Sequence, residues 1–264
     1  MVYKRPCGNC ALDLPIFDIL AIAAVAFFAA IINGLGGVGG GFILGAALTP
    51  VVGAKAVIPL ISVFSIFGNL SRLYVYRNSI RWDIAAQFIF ASIPGVMIGA
   101  NILFRLSEDW VLLLLGCVLI IGLPIKRYLK KSQFSPGIKT FLVIGFVFGV
   151  VSGTALGSGM LIVSALNNIG LHGAVLLGTD AAIGTVNALS RLTTFISLGM
   201  LPRELMALGV LMGVVTLPGT WVASRLVLRL NAAVHGYLIE LILVSAGTFF
   251  VVQALLNLVA AETL

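Results

Sequence analysis

Two short stretches combine side chains suited to holding an anion: Asn69 with Arg72, and Asn187 with Arg191, each arginine preceded by a serine, Ser71 or Ser190. A guanidinium offers a planar fork of N–H donors that fits the oxygens of sulfite, sulfonate, sulfate or carboxylate, and an amide can donate to the same oxygens. The plainer reading is that both arginines reach from a helix end to a polar boundary; for Arg72, close to Arg77 and Arg81, the two readings weigh equally. Asp180 follows Thr179 in the middle of an apolar stretch, and Glu240 lies nearer the end of another. A carboxylate in such a place carries a proton or partners a buried arginine, for example Arg191.

Glycines form the second candidate group. Six of the eight residues 34–41 are glycine, and a second segment runs Ser152, Gly153, Thr154, Ala155, Leu156, Gly157, Ser158, Gly159. Each leads into a short apolar stretch, Phe42–Leu48 or Met160–Leu166, too short to cross hydrocarbon and predicted to be a half-helix. Such a helix would aim its unpaired N–H groups and positive dipole end at the break, where glycine lets an anion come close to the backbone. Gly37, Gly39, Gly40, Gly41, Gly157, Ser158 and Gly159 are therefore candidate binding residues. Close helix packing is the competing explanation, and it suits Gly145, Gly149 and Gly209 better.

The elements that must position these residues are apolar helices. The chain is 60% hydrophobic and 9% charged, against about a quarter charged in a soluble domain. Its runs do not alternate as barrel strands would. We expect an all-α polytopic transmembrane bundle of about eight spans, near 14–33, 54–76, 82–104, 108–126, 138–155, 173–197, 203–226 and 233–259. The first run is not a cleaved signal: Asp13 and Asp18 interrupt its approach and it leads into glycines. The net charge of +7 sits in short connections, which orients a membrane protein and argues against nucleic acid as a partner. Cys7 and Cys10 supply too few ligands for a structural zinc site, and Cys117 lies in a span. His172 and His235 fall at span ends and are read as interfacial. No phosphate-loop lysine motif, zinc-binding histidine pair or candidate nucleophile is found, so neither an enzyme nor coupling to ATP within this chain is expected, and no cofactor.

Ordered anchors point to two related halves. Gly39 and Gly41 stand 118 residues before Gly157 and Gly159, as Asn69 does before Asn187; Ser71-Arg72-Leu73 precedes Ser190-Arg191-Leu192 by 119, and Pro94-Gly95 precedes Pro218-Gly219 by 124. At the first offset Ser62 is the counterpart of Asp180. The expected organisation is an N-terminal tail at 1–13, a first repeat at 14–126, a basic linker at 127–137 and a second repeat at 138–260. With eight spans, ten Lys and Arg side chains (Lys4, Arg5, Arg77, Arg81, Lys126, Arg127, Lys130, Lys131, Lys139, Arg203) gather on one side against four (Lys55, Arg105, Arg225, Arg229) on the other. That bias places both termini in the cytoplasm, and the expected location is the cell (inner) membrane. The parity of spans, and so whether the repeats are parallel or inverted, stays open because each break with its half-helix can form a re-entrant element.

From residue 14 onward the chain resembles the TauE/SafE family of membrane anion transporters. The resemblance is carried by Gly34–Gly41 followed by Phe42-Ile43-Leu44, by Arg81-Trp82-Asp83 opening a span before Pro94-Gly95, and by the second glycine segment. It implies a secondary transporter for small sulfur-containing or organic anions. The second segment departs from the first in carrying Thr154, Leu156 and Ser158, so the two halves need not contribute equally to a site. We expect alternating access around a midplane site built from the glycine breaks, Asn69, Arg72, Asn187 and Arg191, with Asp180 a weaker candidate for proton coupling. The partners expected are a small anionic substrate, the lipid bilayer and, as an option, a second copy in a homodimer. The alternatives are an anion channel and a membrane sulfur relay working through Cys7 and Cys10.

Overall fold

The computed structural model describes residues 16–36, 40–131, 138–156, 158–226, 241 and 244–257. Cys7, Cys10, Gly37, Gly39, Gly157, His235 and Glu240 lie outside the described residues. Helices run α1 Ile16–Gly36, α2 Gly40–Val52, α3 Ala54–Val75, α4 Trp82–Arg105, α5 Glu108–Lys131, α6 Ile138–Thr154, α7 Gly159–Asn168, α8 Gly173–Ser197 and α9 Arg203–Leu226, then α10 Val244–Asn257. The described residues contain no strand, so the all-α expectation holds.

Three of these helices, α3, α4 and Arg203–Ala223 of α9, are long and apolar enough to cross a membrane. With 25 residues α8 is long enough, but Thr179, Asp180, Thr185, Asn187, Arg191 and Thr194 make it less apolar, and all six are buried. Most of its polarity is turned inward, with Thr193 and Ser197 near its end exposed. At the opposite extreme Phe90, Met97, Val143, Val214 and Trp221 are exposed on the outer faces of α4, α6 and α9. Apolar outside with polar inside is the distribution that hydrocarbon, not water, selects.

The half-helices are present. With 13 residues α2 and with 10 residues α7 would extend roughly 20 Å and 15 Å, against about 30 Å of hydrocarbon. The breaks before them are narrower than the sequence suggested, because α1 stays helical through Gly34 and Gly36 and α6 through Gly153 and Thr154. Leaving the helix exposes backbone groups that lipid cannot satisfy, so helix persists wherever sterics allow. Gly53, at a φ of 85°, turns α2 directly into α3; only glycine takes that backbone cheaply.

Helix pairs cross between the two halves of the chain. α1 packs on α9, α4 on α6, and α3 on α8 and α9, while α8 also meets α4. Gly95 and Gly99 of α4 face Gly149 and Gly153 of α6; a Cβ at Gly149 would run into the Ser92 backbone, and one at Gly153 would meet Val96 and Ala100. Bare backbone lets these helices touch, which gives dispersion contact where no hydrophobic drive exists between apolar neighbours. Gly145, whose Cβ would lie 3.1 Å from that of Ala91, and Gly209, 2.8 Å from that of Val63, serve the same purpose. Phe88 anchors this region with edge-to-face contacts to Phe141 and Phe148, each at 5.2 Å between centroids.

Candidate functional site

Where α3 and α8 cross, the ends of α1, α2, α6 and α7 border a partly open cavity of about 120 Å³. That suits a small oxyanion with a few waters, being well under the ~300–1,000 Å³ of sites for drug-sized ligands. From α3 come Ile61, Ser65, Asn69 and Arg72; from α8 come Asp180, Gly184, Asn187 and Arg191. These positions recur every three or four residues, which places each set on one helix face. Asn33 comes from the end of α1, Gly41 and Phe42 from the start of α2, Phe148 and Ser152 from α6, and Leu156, Ser158, Gly159 and Ile162 from the second break and the start of α7. Both half-helices thus begin at the cavity wall, and the first N–H groups of a helix have no partner within it. Ser158 occupies the N-cap position of α7 without a side-chain capping bond.

The two arginines are both buried, 6% and 8% exposed, which rules out the boundary-reaching role considered for Arg72. Their surroundings differ. Arg72 donates from Nη1 to Asp180 Oδ2 at 3.0 Å and from Nη2 to Asn69 Oδ1 at 2.6 Å. The sequence suggested Asp180 with Arg191, but the helix crossing brings Asp180 to Arg72 instead. Arg191 donates from Nη1 to the Ser152 carbonyl at 3.0 Å, one of the carbonyls that the last turn of α6 leaves open. It forms no ion pair with a described residue. Among the described residues Arg72 Nε, Arg191 Nε and Asn187 Oδ1 are buried without a hydrogen-bond partner. Asn187 Nδ2 is tied back to the Ile183 carbonyl at 2.9 Å.

Of the binding residues expected from sequence, Gly41, Asn69, Arg72, Ser158, Gly159, Asn187 and Arg191 line this one cavity, as does Asp180. Gly40 does not: a Cβ there would meet Ala29 and Asn33, so it is a packing contact between α2 and α1. Gly37, Gly39 and Gly157 fall outside the described residues. Ser62, paired with Asp180 by the offset of 118, is not a lining residue; its hydroxyl donates to the Ile58 carbonyl at 2.8 Å. Ile61 takes the lining position instead. Asn33, Ser65, Ser152 and Gly184 were missed. Asn33 and Ser152 head the two glycine segments, separated by the same 119 residues as Arg72 and Arg191, so the signal for them was present. Ser65 and Gly184 share that offset but no chemistry, and the role of Gly184 is spatial, since a Cβ there would sit 2.8 Å from Asn69 Nδ2. His172, at the turn into α8, is exposed and 3.0 Å from Asn167 Oδ1.

An apolar outer surface around a small cavity lined by two arginines and an aspartate, with two helix starts at its wall, is the arrangement of a helical membrane protein. Comparison with known families agrees: residues 22–250 match the family described as sulfite exporter TauE/SafE. The chain belongs to that family of membrane transport proteins. Neither curated proteins nor solved structures gave a match.

Proposed function

We propose that the protein is a secondary transporter for small sulfur-containing or organic oxyanions, binding them in the cavity between α3 and α8 and working by alternating access. The observation that carries this reading is Arg191: a buried cation facing the cavity, with no ion pair among the described residues. An unneutralised charge in a low-dielectric interior is costly, and an anion bound there would remove the cost. Arg72, Asn69 and the starts of α2 and α7 would supply further donors, and Gly41 and Gly159 leave the backbone open to approach.

Repeat symmetry is supported by four pairs of lining residues with one offset of 119: Asn33 with Ser152, Ile61 with Asp180, Ser65 with Gly184, and Arg72 with Arg191. Packing follows the same relation, since α1 on α9 corresponds to α6 on α4, and α3 on α9 to α8 on α4. The pairs are chemically unlike at Ile61 and Asp180, so the cradle is asymmetric where it matters for charge.

The test is flux of sulfite, sulfonates and carboxylates into liposomes holding the purified protein. Saturable uptake accelerated by anion on the far side is expected. Flux that follows voltage alone, without saturation or exchange, would identify a channel, and no flux or binding of any of these anions would end the transport reading.

A further inference from the structure

We infer that the cavity fixes the charge of its cargo: a monoanionic headgroup binds alone, whereas a dianion binds together with a proton taken up by Asp180. The inference rests on the anion-transport reading and adds the charge class and proton stoichiometry of that site.

Among the described residues three charged side chains line the cavity, Arg72, Asp180 and Arg191. Arg72 and Asp180 neutralise each other at 3.0 Å, both less than a tenth exposed. Arg191, on the same face of α8 as Asp180, has no ion pair among the described residues. The fixed charge is therefore a single positive one. A buried site favours the ligand that brings its sum to zero, and for this set that ligand is a monoanion resting on Arg191 with the Arg72–Asp180 pair intact. A dianion leaves one negative charge over. Protonating the Asp180 carboxylate removes it and releases Arg72 Nη1 from the carboxylate toward the ligand, alongside an Nε that has no partner among the described residues. The proton comes from water on the side where the anion enters, forms one O–H bond on the carboxylate, and leaves to water on the side of release.

Other charged or titratable groups around α8 do not share this role. From α3, Arg72 meets Asp180 directly, while Tyr74 is exposed and Lys55 lies over Phe104. Arg77, beyond the end of α3, bonds the Tyr74 carbonyl and Tyr76 offers backbone to Gly178. On α4, Asp83 is exposed and paired with Arg81, and Arg105 stands at the opposite end of the helix. Among their described side chains α6 and α7 carry no charge. Arg191 is the remaining cation on the cavity, and it is the one the ligand meets in either case.

The experiment uses the purified full-length protein in weakly buffered solution with two probes, methanesulfonate, a monoanion, and sulfate, a dianion throughout the neutral range. Binding is followed by calorimetry and proton uptake by a pH dye. Near-zero uptake is expected for methanesulfonate and about one proton for sulfate, with sulfate affinity falling about tenfold per pH unit as pH rises and methanesulfonate affinity flat. In Asp180→Asn, sulfate binding should lose both its proton uptake and its pH dependence. Equal proton counts for the two anions in the wild-type protein would overturn the inference while leaving the anion site standing, and that comparison needs no variant to fold. If neither probe binds, the anion-site reading itself falls and takes the inference with it.

Discussion

Arg191→Gln should separate binding from stability, because Arg191 is a buried cation without an ion pair among the described residues, whereas Arg72 has Asp180 at 3.0 Å. In the ligand-free protein the substitution removes an uncompensated charge and the bond to the Ser152 carbonyl. A charged hydrogen bond contributes about 1.5–3 kcal/mol, while desolvating an unpaired ion costs several kcal/mol, so the net effect on stability is near zero or favourable. Removing the other charge works in the opposite direction. Asp180→Asn leaves Arg72 buried without its anion, a change worth about 3–5 kcal/mol, and the low end applies because the amide oxygen can still accept a bond. Binding reverses the order for Arg191. Losing its contact with an anion should weaken affinity by about 10- to 150-fold, the equivalent of those 1.5–3 kcal/mol, with Arg191→Lys intermediate because it keeps the charge and loses the fork. Thermal unfolding in detergent, with and without methanesulfonate, reads both quantities. The reasoning is refuted if Arg191→Gln binds like the wild type, or if it unfolds as early as Asp180→Asn.

Three further substitutions test packing and positioning. Gly149→Leu places a side chain where the Ser92 backbone runs, and should cost at least the 1–3 kcal/mol typical of overpacking, seen as lost monodisperse protein on size exclusion. Gly53→Ala forces a Cβ onto a backbone at φ 85° and ψ 153° and within 2.9 Å of Glu108 Oε1; a loss of about 1–3 kcal/mol in unfolding measurements is expected. Gly184→Leu pushes on Asn69 Nδ2, and should lower anion affinity about tenfold or more by displacing the amide and the Arg72 fork it holds, while methanesulfonate still gives measurable binding through Arg191.

The polar face of α8 was legible in part: hydrocarbon disfavours exposed Asn, Asp and Arg, which argued for turning Asp180, Asn187 and Arg191 inward, while for Arg72 the sequence weighed a boundary-reaching role equally. The half-helices were legible from glycine clusters next to apolar stretches too short to span. What sequence could not supply was the partner of Asp180. Arg72 is 108 residues away, and only the α3–α8 crossing decides that it lies nearer than Arg191 on the same helix. The limits of the breaks were hidden for a different reason: glycine costs about 1 kcal/mol in a helix, less than an unsatisfied backbone group in hydrocarbon, so α1 and α6 continue into segments that composition alone reads as broken. Gly184 was invisible because its function belongs to the residue it makes room for.

The packing also bears on which bodies would move in the proposed cycle. If the two sequence halves rocked as separate bundles, the contacts of α1 with α9 and of α4 with α6 would have to break on each turn, since each joins one half to the other. The α4–α6 contact is backbone against backbone through Gly95, Gly99, Gly149 and Gly153, and close-packed surfaces of that kind switch between discrete arrangements at considerable cost. The cheaper division keeps α4 with α6 and α1 with α9, and lets the cavity open between the two breaks. Paired cysteines distinguish these divisions. A crosslink between positions 91 and 145, where Ala91 and Gly145 hold α4 to α6, or between 30 and 219, where the Ala30 Cβ lies 2.8 Å from a Cβ built at Gly219, should leave liposome flux within about twofold of the reduced protein. A crosslink between Gly45 of α2 and Leu156 of the second break, whose side-chain tip lies where a Cβ at Gly45 would stand, should stop it, with recovery on reduction. Flux lost on linking α4 to α6 and retained on linking the breaks would mean that the sequence halves, not the interlocked pairs, are the moving bodies.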